Sequence, residues 1–483
     1  MSRMKRKIYL FVFLIIWQVH EGFTFPRPPC GTGLEKSATG NSKRQPQLGI
    51  VRRHCRPLFM EASVLETDAG SPGVVATVEF FNGEKGQNLA RKLVQRDPEV
   101  AESLKGKGFW GSNAGFINKV MCKGVKPTGL IFSAEIGRDS TIETQQVEIE
   151  FFEKVEDETQ LKLSLINLIA EKIGRKSTAA IATLPFGQDV TVPNDFRFNQ
   201  CPHPTWVRAY IYDRVSIAVL RALEDSTISK KTRSRMRIVV NFPELNPKYD
   251  VFRVGTMAEM IRETCLRVAE GGSRCRIVVQ QSLGEGIFTG TPLALSMMMP
   301  VFQKMDWGAS LSEEEKYQGG DMLKPTRKES KIRLGRVGPE YVAPDDDVIF
   351  IIMPQNVVNG ELTGMLDEMC VKAEAQGTAV ILINDNLVDR PSGNNKMQVR
   401  GRAERRAVQD SFSDIFQLRL LYPSNGGYMY PIAGLVSKKD YRSPYVAFNI
   451  KRDKKLDREN YNVVGAWDAH SPPQRNDLAD LFL

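Results

Sequence analysis

The chain has 483 residues, 42% of them hydrophobic and 25% charged, with 66 Lys and Arg against 57 Asp and Glu. The whole excess of +9 lies in the first 59 residues, which hold 11 basic and 2 acidic side chains; the other 424 balance at 55 of each, so the clustered cations that grip phosphates are missing and nucleic acid is not an expected partner. After residue 59 no apolar run approaches the roughly 20 residues that span a bilayer, leaving at most peripheral membrane contact, and the length fits two or three domains of about 100–200 residues.

Residues 1–22 have the three-part build of a secretory signal: Arg3, Lys5, Arg6 and Lys7, an apolar run from Ile8 to Trp17, and a polar exit at His20 to Gly22. Phe23-Thr24-Phe25-Pro26 then opens a Ser-, Arg- and Pro-rich stretch to Phe59 in which Glu35 is the only acid, the composition of a transit segment over 23–59. A signal followed by a Phe-initiated, acid-poor segment resembles the bipartite presequence of algae whose plastids lie inside the endomembrane system. That resemblance implies the plastid stroma, with thylakoid association open. The alternative is a secreted protein with an unstructured head; His20 and Glu21 stand where small residues usually precede a cut.

Beyond the presequence come five cysteines, Cys122, Cys201, Cys265, Cys275 and Cys370, an odd number without CxxC spacing. This is neither a disulfide framework nor a zinc pattern, and it suits a reducing compartment. Beyond residue 59, Cys201-Pro202-His203 is the only close Cys/His pair; two ligands need help from elsewhere in the fold, so no metal site is expected.

The first part of the body, 60–200, reads as a small α+β domain with a linker. Ala76 to Phe81 and Leu130 to Glu135 are β-rich, and Gln146 to Phe152 alternates apolar and polar residues with the period of a half-buried antiparallel strand. A helix follows over Gln160 to Ile173, and Pro185, Pro193, Pro202 and Pro204 punctuate the linker.

Over 205–470 helices alternate with short, wholly apolar strands, which predicts a doubly wound, mostly parallel, Rossmann-like α/β sheet covered on both faces. The order is helix Val207 to Asp225, strand Arg237 to Phe242, a helix begun by a Thr256/Glu259 capping box and stopped at Gly271-Gly272, strand Cys275 to Val279, and helix Pro292 to Trp307. A polar insertion from Ser310 to Val337 comes next, expected to be mobile. The scheme then repeats: strand Val348 to Met353, helix Glu361 to Ala375 closed by Gly377, strand Ala379 to Ile383, helix Ala403 to Phe412, and a final strand Gln417 to Leu421 before an aromatic tail with Tyr428, Tyr430, Tyr441, Tyr445 and Trp467. Residues 471–483 form a terminal tail.

Ligands of such sheets bind beyond the carboxyl ends of the strands. Four of those loops are rich in amides and carboxylates: Asn241 and Glu244; Gln280, Gln281, Gly284, Glu285 and Gly286; Gln355 and Asn356; Asn384, Asp385, Asp389 and Arg390. Asn, Asp and Gly also form turns with no ligand involved, but Gln has no such turn chemistry. Gly284, Gly286 and Gly290 give only a loose GxGxxxG, Asp306 has the ribose-binding spacing but follows a stretch, Met299 to Met305, that looks helical, and there is no GxxxxGK[ST] loop. With only His203 and His470 in the body, and neither GxSxG nor HExxH, no hydrolase assembles. Arg400, Arg402, Arg405 and Arg406 open a helix; the last three share a face that suits a phosphate, an anionic lipid, an acidic partner or plain solvent. Asp345-Asp346-Asp347 precedes a strand and reads as a solvated turn, and Met297, Met298 and Met299 serve either an adaptable groove or the core.

The segments NFPELNPKYDVFRVGTMAEMI, IVVQQSLGEG, VIFIIMPQN, AVILINDNLVDRPSG, the GRAERR helix start and RLLYPSNGGYMYPIAG together resemble the plastid and cyanobacterial domain of unknown function 1995, over about residues 205–470. One land-plant relative is a low photosystem II accumulation protein, and another is fused to a plastid adenylate kinase. The resemblance implies a plastid assembly or auxiliary factor for photosystem II whose partner is a thylakoid membrane-protein subunit or another assembly factor; it transfers no catalytic residue and no cofactor. The alternative is an enzyme or sensor that holds a small polar or phosphorylated ligand in the rim cleft.

Overall fold

The structure is a computed structural model that describes residues 71–105, 115–138, 141–186, 191–193, 196–246, 251–283, 293–307, 331–356, 362–388, 401–422, 432–453 and 458–482. The presequence, 1–59, lies outside them.

The segment expected as a strand at Ala76 to Phe81 is instead helix α1 (Pro72–Asn82). Pro72 presets the helical φ in the first turn, and Gly73, Thr77 and Phe81, four residues apart, form its buried face, so the helical period outweighs the β-branched composition. Helices α2 (Glu84–Gln95) and α3 (Pro98–Leu104) follow, the latter N-capped by Asp97. Strands β1 (Phe116–Lys126), β2 (Gly129–Arg138) and β3 (Thr141–Glu150) form an antiparallel sheet in that order, against which Phe81 meets Phe132 edge to face with centroids 5.5 Å apart. Helices α4 (Glu158–Lys172) and α5 (Thr178–Ala182) complete this part, and one apolar cluster joins Phe132 and Leu165 to Phe350 of the large sheet.

The large sheet has nine strands. Six are parallel: β4 (Met236–Asn241), β5 (Cys275–Val279), β6 (Ile332–Gly335), β7 (Val348–Ile352), β8 (Ala379–Ile383) and β9 (Ser413–Leu421). Three more, β10 (Gly434–Lys438), β11 (Tyr445–Asp453) and β12 (Arg458–Trp467), extend one edge antiparallel. The spatial order is β12-β11-β10-β9-β4-β8-β7-β5-β6. Its helices are α6 (Thr205–Glu224), α7 (Lys230–Arg233), α8 (Val254–Glu270), α9 (Leu293–Ser296), α10 (Met298–Lys304), α11 (Thr363–Gln376), α12 (Arg402–Asp410) and α13 (Arg475–Phe482). Met236, Ile238 and Val240 of β4 join the core with Val215 of α6 and Ile261 of α8, whereas Ile349, Ile351, Val380 and Leu382 face α11 through Leu366 and Met369. Apolar residues on both sides of β7 and β8 are what made these strands read as continuous hydrophobic runs.

Several boundaries differ from expectation. The aromatic stretch after Leu421 is not a tail: Tyr445 pairs with Trp467 across β11 and β12, and residues expected as a terminal tail form α13. The polar insertion ends before Ile332, which starts the edge strand β6, since Ile332 and Leu334 reach the core. The segment Pro292 to Trp307 holds two short helices broken at Met297. Helix α8 starts at Val254, with Arg253 in the N-cap position and no side-chain cap, so the expected Thr256 lies inside the first turn, buried, its carbonyl accepting the Tyr212 hydroxyl proton at 3.2 Å.

Charges gather at the amino edge of the parallel strands. Arg276 donates to both carboxylate oxygens of Asp346 at 2.6 and 3.1 Å with both side chains buried, and Arg333 binds Asp345 at 2.7 and 2.8 Å. The Asp345-Asp346-Asp347 run is thus an ion-paired anchor rather than a solvated turn. Asp346→Ala leaves the Arg276 guanidinium buried without its counter-charge and is expected to lower stability by about 3–5 kcal/mol, against about 1 kcal/mol or less for the more exposed Asp345, measured by urea unfolding.

Lys438 of β10 is wholly buried and donates to the carbonyls of Tyr441, Ser443 and Ala469 at 2.8, 2.8 and 2.9 Å. Burial pulls its ammonium down from 10.5 to about 8, against the opposing pull of Asp440, Asp414 and Asp468. Between those two values the unfolded chain holds a proton that the folded chain has released, so this group makes stability rise with pH across the window, by on the order of 3 kcal/mol. Lys438→Met is expected to remove that rise when unfolding free energies at about pH 8 and about pH 10 are compared.

Candidate functional site

The parallel strands bring the predicted loops to one rim. From β9 outward the strand ends run β4, β8, β7, β5, β6, so Glu244, Asn384 and Asp385, Gln355 and Asn356, and Gln280 and Gln281 follow one another along it. Their side chains are turned to an unforeseen use. The Gln280 amide donates from Nε2 to the Gln355 carbonyl and accepts the Gln355 N–H at Oε1, both at 2.9 Å. Gln281 does the same to Val337, at 2.9 and 3.1 Å, and Asn384 to Val240, at 2.9 and 2.7 Å. Each amide stands in for one residue of a neighbouring strand, pairing backbone groups that the shorter ladder leaves open. Asn356 works similarly, donating to Leu387 O at 2.7 Å and accepting Leu362 N–H at 3.2 Å. The Gln side chains therefore have a reason to be here that turn chemistry does not offer, and it is structural.

Two residues at the same level of the rim, Met353 (φ 45°) and Asn384 (φ 51°), adopt the left-handed conformation, each immediately after strands paired at Ile352 and Ile383. Met353 N–H reaches Ile383 O at 2.8 Å, and Asn384 N–H reaches Ile238 O at 2.9 Å, so both strands turn together. Beyond them Gln355 and Asn386 form an isolated parallel bridge.

The remaining predicted residues divide as follows. Asn241 accepts from Asn246 at 2.5 Å. Glu244 turns away from the rim to His203, whose backbone N–H and Nδ1 it binds at 2.5 and 2.9 Å. Burial pushes the Glu244 carboxyl up, but these hydrogen bonds outweigh it and hold the group below its usual range. Asp385 keeps only 6% of its side chain exposed, 4.0 Å from Arg237 Nε, and burial pushes its carboxyl up despite Arg237. Gly284, Glu285, Gly286, Gly290, Asp389, Arg390 and Arg400 lie outside the described residues. The three-guanidinium face expected on α12 does not form: Arg405 is buried and folds back toward Gly401, while the exposed Arg406 pairs with Asp410. Of the methionines, Met298 is core, Met297 is exposed and Met299 lines a cleft of about 480 Å³ at the ends of β5 and β6, together with Gln280, Gln281, Ser282, Leu295 and Arg336. Asp306 follows a helix, not a strand, so it cannot serve as the acid of a dinucleotide turn.

A second polar region was not anticipated. On one face of the sheet Arg237, Val239 and Asn241 of β4 lie opposite Asp414, Gln417 and Arg419 of β9. Arg237 Nε donates to Asp414 Oδ1 at 2.5 Å, and the Tyr445 hydroxyl donates to Oδ2 at 2.8 Å. Among the described residues, the buried Gln417 Oε1 and Arg419 Nε have no hydrogen-bond partner. The strip separates the apolar patch under α11 from the one under α13, since Leu382 and Val436 are the respective neighbours of Arg237 and Arg419. Its sequence signal is an arginine inside an otherwise apolar strand, in Met236-Arg237-Ile238-Val239 and Leu418-Arg419-Leu420.

The pairing role of Asn384 is testable. Asn384→Ala loses two backbone partners and strains a left-handed residue, with an expected loss of about 3 kcal/mol, whereas Asn384→Gly keeps the backbone freedom and recovers about 1 kcal/mol of it, read from urea midpoints.

The family described as Domain of unknown function (DUF1995) matches residues 208–478. The match runs from α6 into α13 and so takes in the whole nine-stranded sheet.

Proposed function

From the premise that the chain belongs to the DUF1995 family, we propose that it is a plastid protein that assists accumulation of photosystem II by binding a thylakoid subunit or another assembly factor, without catalysing a reaction. The observation that carries this reading is the rim itself. The amides of Gln280, Gln281 and Asn384, at the place where an α/β sheet ordinarily presents its reactive groups, are taken up in backbone pairing. The likeness to a low photosystem II accumulation protein and the presequence pattern of residues 1–59 supply the compartment and the class of partner. No described helix is long and apolar enough to cross a membrane, so contact with a thylakoid subunit is peripheral in this proposal. Deleting the gene is expected to lower photosystem II subunits and accumulate assembly intermediates while other thylakoid complexes hold, scored by native gels; unchanged photosystem II overturns the reading.

The orphaned Gln417 Oε1 and Arg419 Nε favour one second reading, a small polar or phosphorylated ligand on the strip between α11 and α13. A ligand at a hundred times its Kd stabilises the fold by about 2.7 kcal/mol. In a melting screen of phosphorylated metabolites a rise that Arg419→Met abolishes supports this reading, and silence across the panel removes it.

A further inference from the structure

We propose that Cys201, His203 and Glu244 form a binding site for one divalent ion of the zinc type, a property separate from the partner binding above. A thiol sulfur, an imidazole nitrogen and a carboxylate oxygen of these residues lie within 4.8 Å of one another. Cys201 and His203 flank Pro202 on the segment that leads into α6, and Glu244 sits in the turn after β4, so the fold supplies the third ligand that the Cys-Pro-His run lacks in sequence.

The pair at the centre is nearly at coordination distance. His203 Nδ1 lies 2.9 and 3.0 Å from the two Glu244 oxygens. Nitrogen and oxygen ligands about 2.0–2.1 Å from a tetrahedral zinc ion are about 3.3 Å apart, so exchanging the Nδ1 proton for the ion opens this pair by only a few tenths of an ångström. Among the described residues, the ring's buried Nε2 has no hydrogen-bond partner.

Donor chemistry narrows the ion. One thiolate, one imidazole and one carboxylate suit zinc or cobalt, whereas magnesium and calcium take oxygen ligands. Thiolate and carboxylate together neutralise a dication, which a pocket walled by Phe198 and Phe242, with ring centroids 6.3 and 4.6 Å from the imidazole, requires of any ion it takes from water. Three protein ligands leave a fourth position for water or a further ligand. Binding ties the 201–203 segment to the end of β4 and adds its free energy to that of the fold.

The test uses the full chain, stripped of metal and titrated with Co²⁺. One ion per chain is expected, with a thiolate-to-cobalt charge-transfer band and a raised melting temperature. Cys201→Ser, which preserves size at a half-buried position, should lose the band and weaken binding at least about tenfold; Glu244→Gln should weaken binding and keep the band. The proposal is overturned if no stoichiometric ion binds, or if the band survives Cys201→Ser and thereby belongs to another cysteine.

Discussion

Parallel strands of unequal length leave backbone groups facing nothing, and a buried N–H or C=O without a partner costs about 1–3 kcal/mol. In this protein side-chain amides meet that constraint. Gln280, Gln281 and Asn384 each present a donor and an acceptor in the spacing of a peptide unit and continue the ladder after the strand has ended. The same device recurs where Asn82 pairs with Cys122 and Asn199 with Ile432. Because the rim is closed this way, Met353 and Asn384 can keep a left-handed backbone that disfavours non-glycine residues by about 1–2 kcal/mol each.

Charge and neutrality are thereby separated along the strand direction. The amino edge carries the Arg276, Arg333 and Asp345-Asp346 network, while at the carboxyl edge, among the described residues, the amides of Gln280, Gln281, Asn356 and Asn384 outnumber the acids Glu244 and Asp385. Across the sheet the two faces also differ. One is apolar throughout its contact with α6 and α8; the other alternates apolar cover with the strip of Arg237, Asp414, Gln417 and Arg419.

How far the chain could be read in advance followed the physics of each element. Buried parallel strands such as Val348–Ile352 and Ala379–Ile383 announce themselves because both faces must be apolar, and Gly377, left-handed at φ 78°, marks the end of α11 unambiguously. The alternation at Gln146 gave β3, but Pro72–Asn82 misled, since Val and Phe fit a buried helix face as readily as a strand. The aromatic stretch hid β10–β12 because its pairing is a long-range property: Tyr445 signals a strand only once Trp467 lies beside it. At the rim, residue type and position were legible and purpose was not. An amide that binds a ligand and one that binds Val240 look alike until the neighbouring strand is known, and the link between Glu244 and His203 spans two elements that nothing local connects.

The segment from α4 to Phe198 is bound to the last strand of the sheet and the residue that follows it. Asn167 donates to Asp468, Arg175 and Thr178 to the carbonyl of Ala466, and the backbone of Phe198 to Glu459. Separations of 261 to 301 residues mean that each of these bonds closes more than half of the 483-residue chain into one loop. These bonds can form only after residues 459 to 468 are available, and closure of so wide a loop slows the search. Residues 167–198 therefore complete their packing only when a strand 261 to 301 residues further along the chain has joined the sheet.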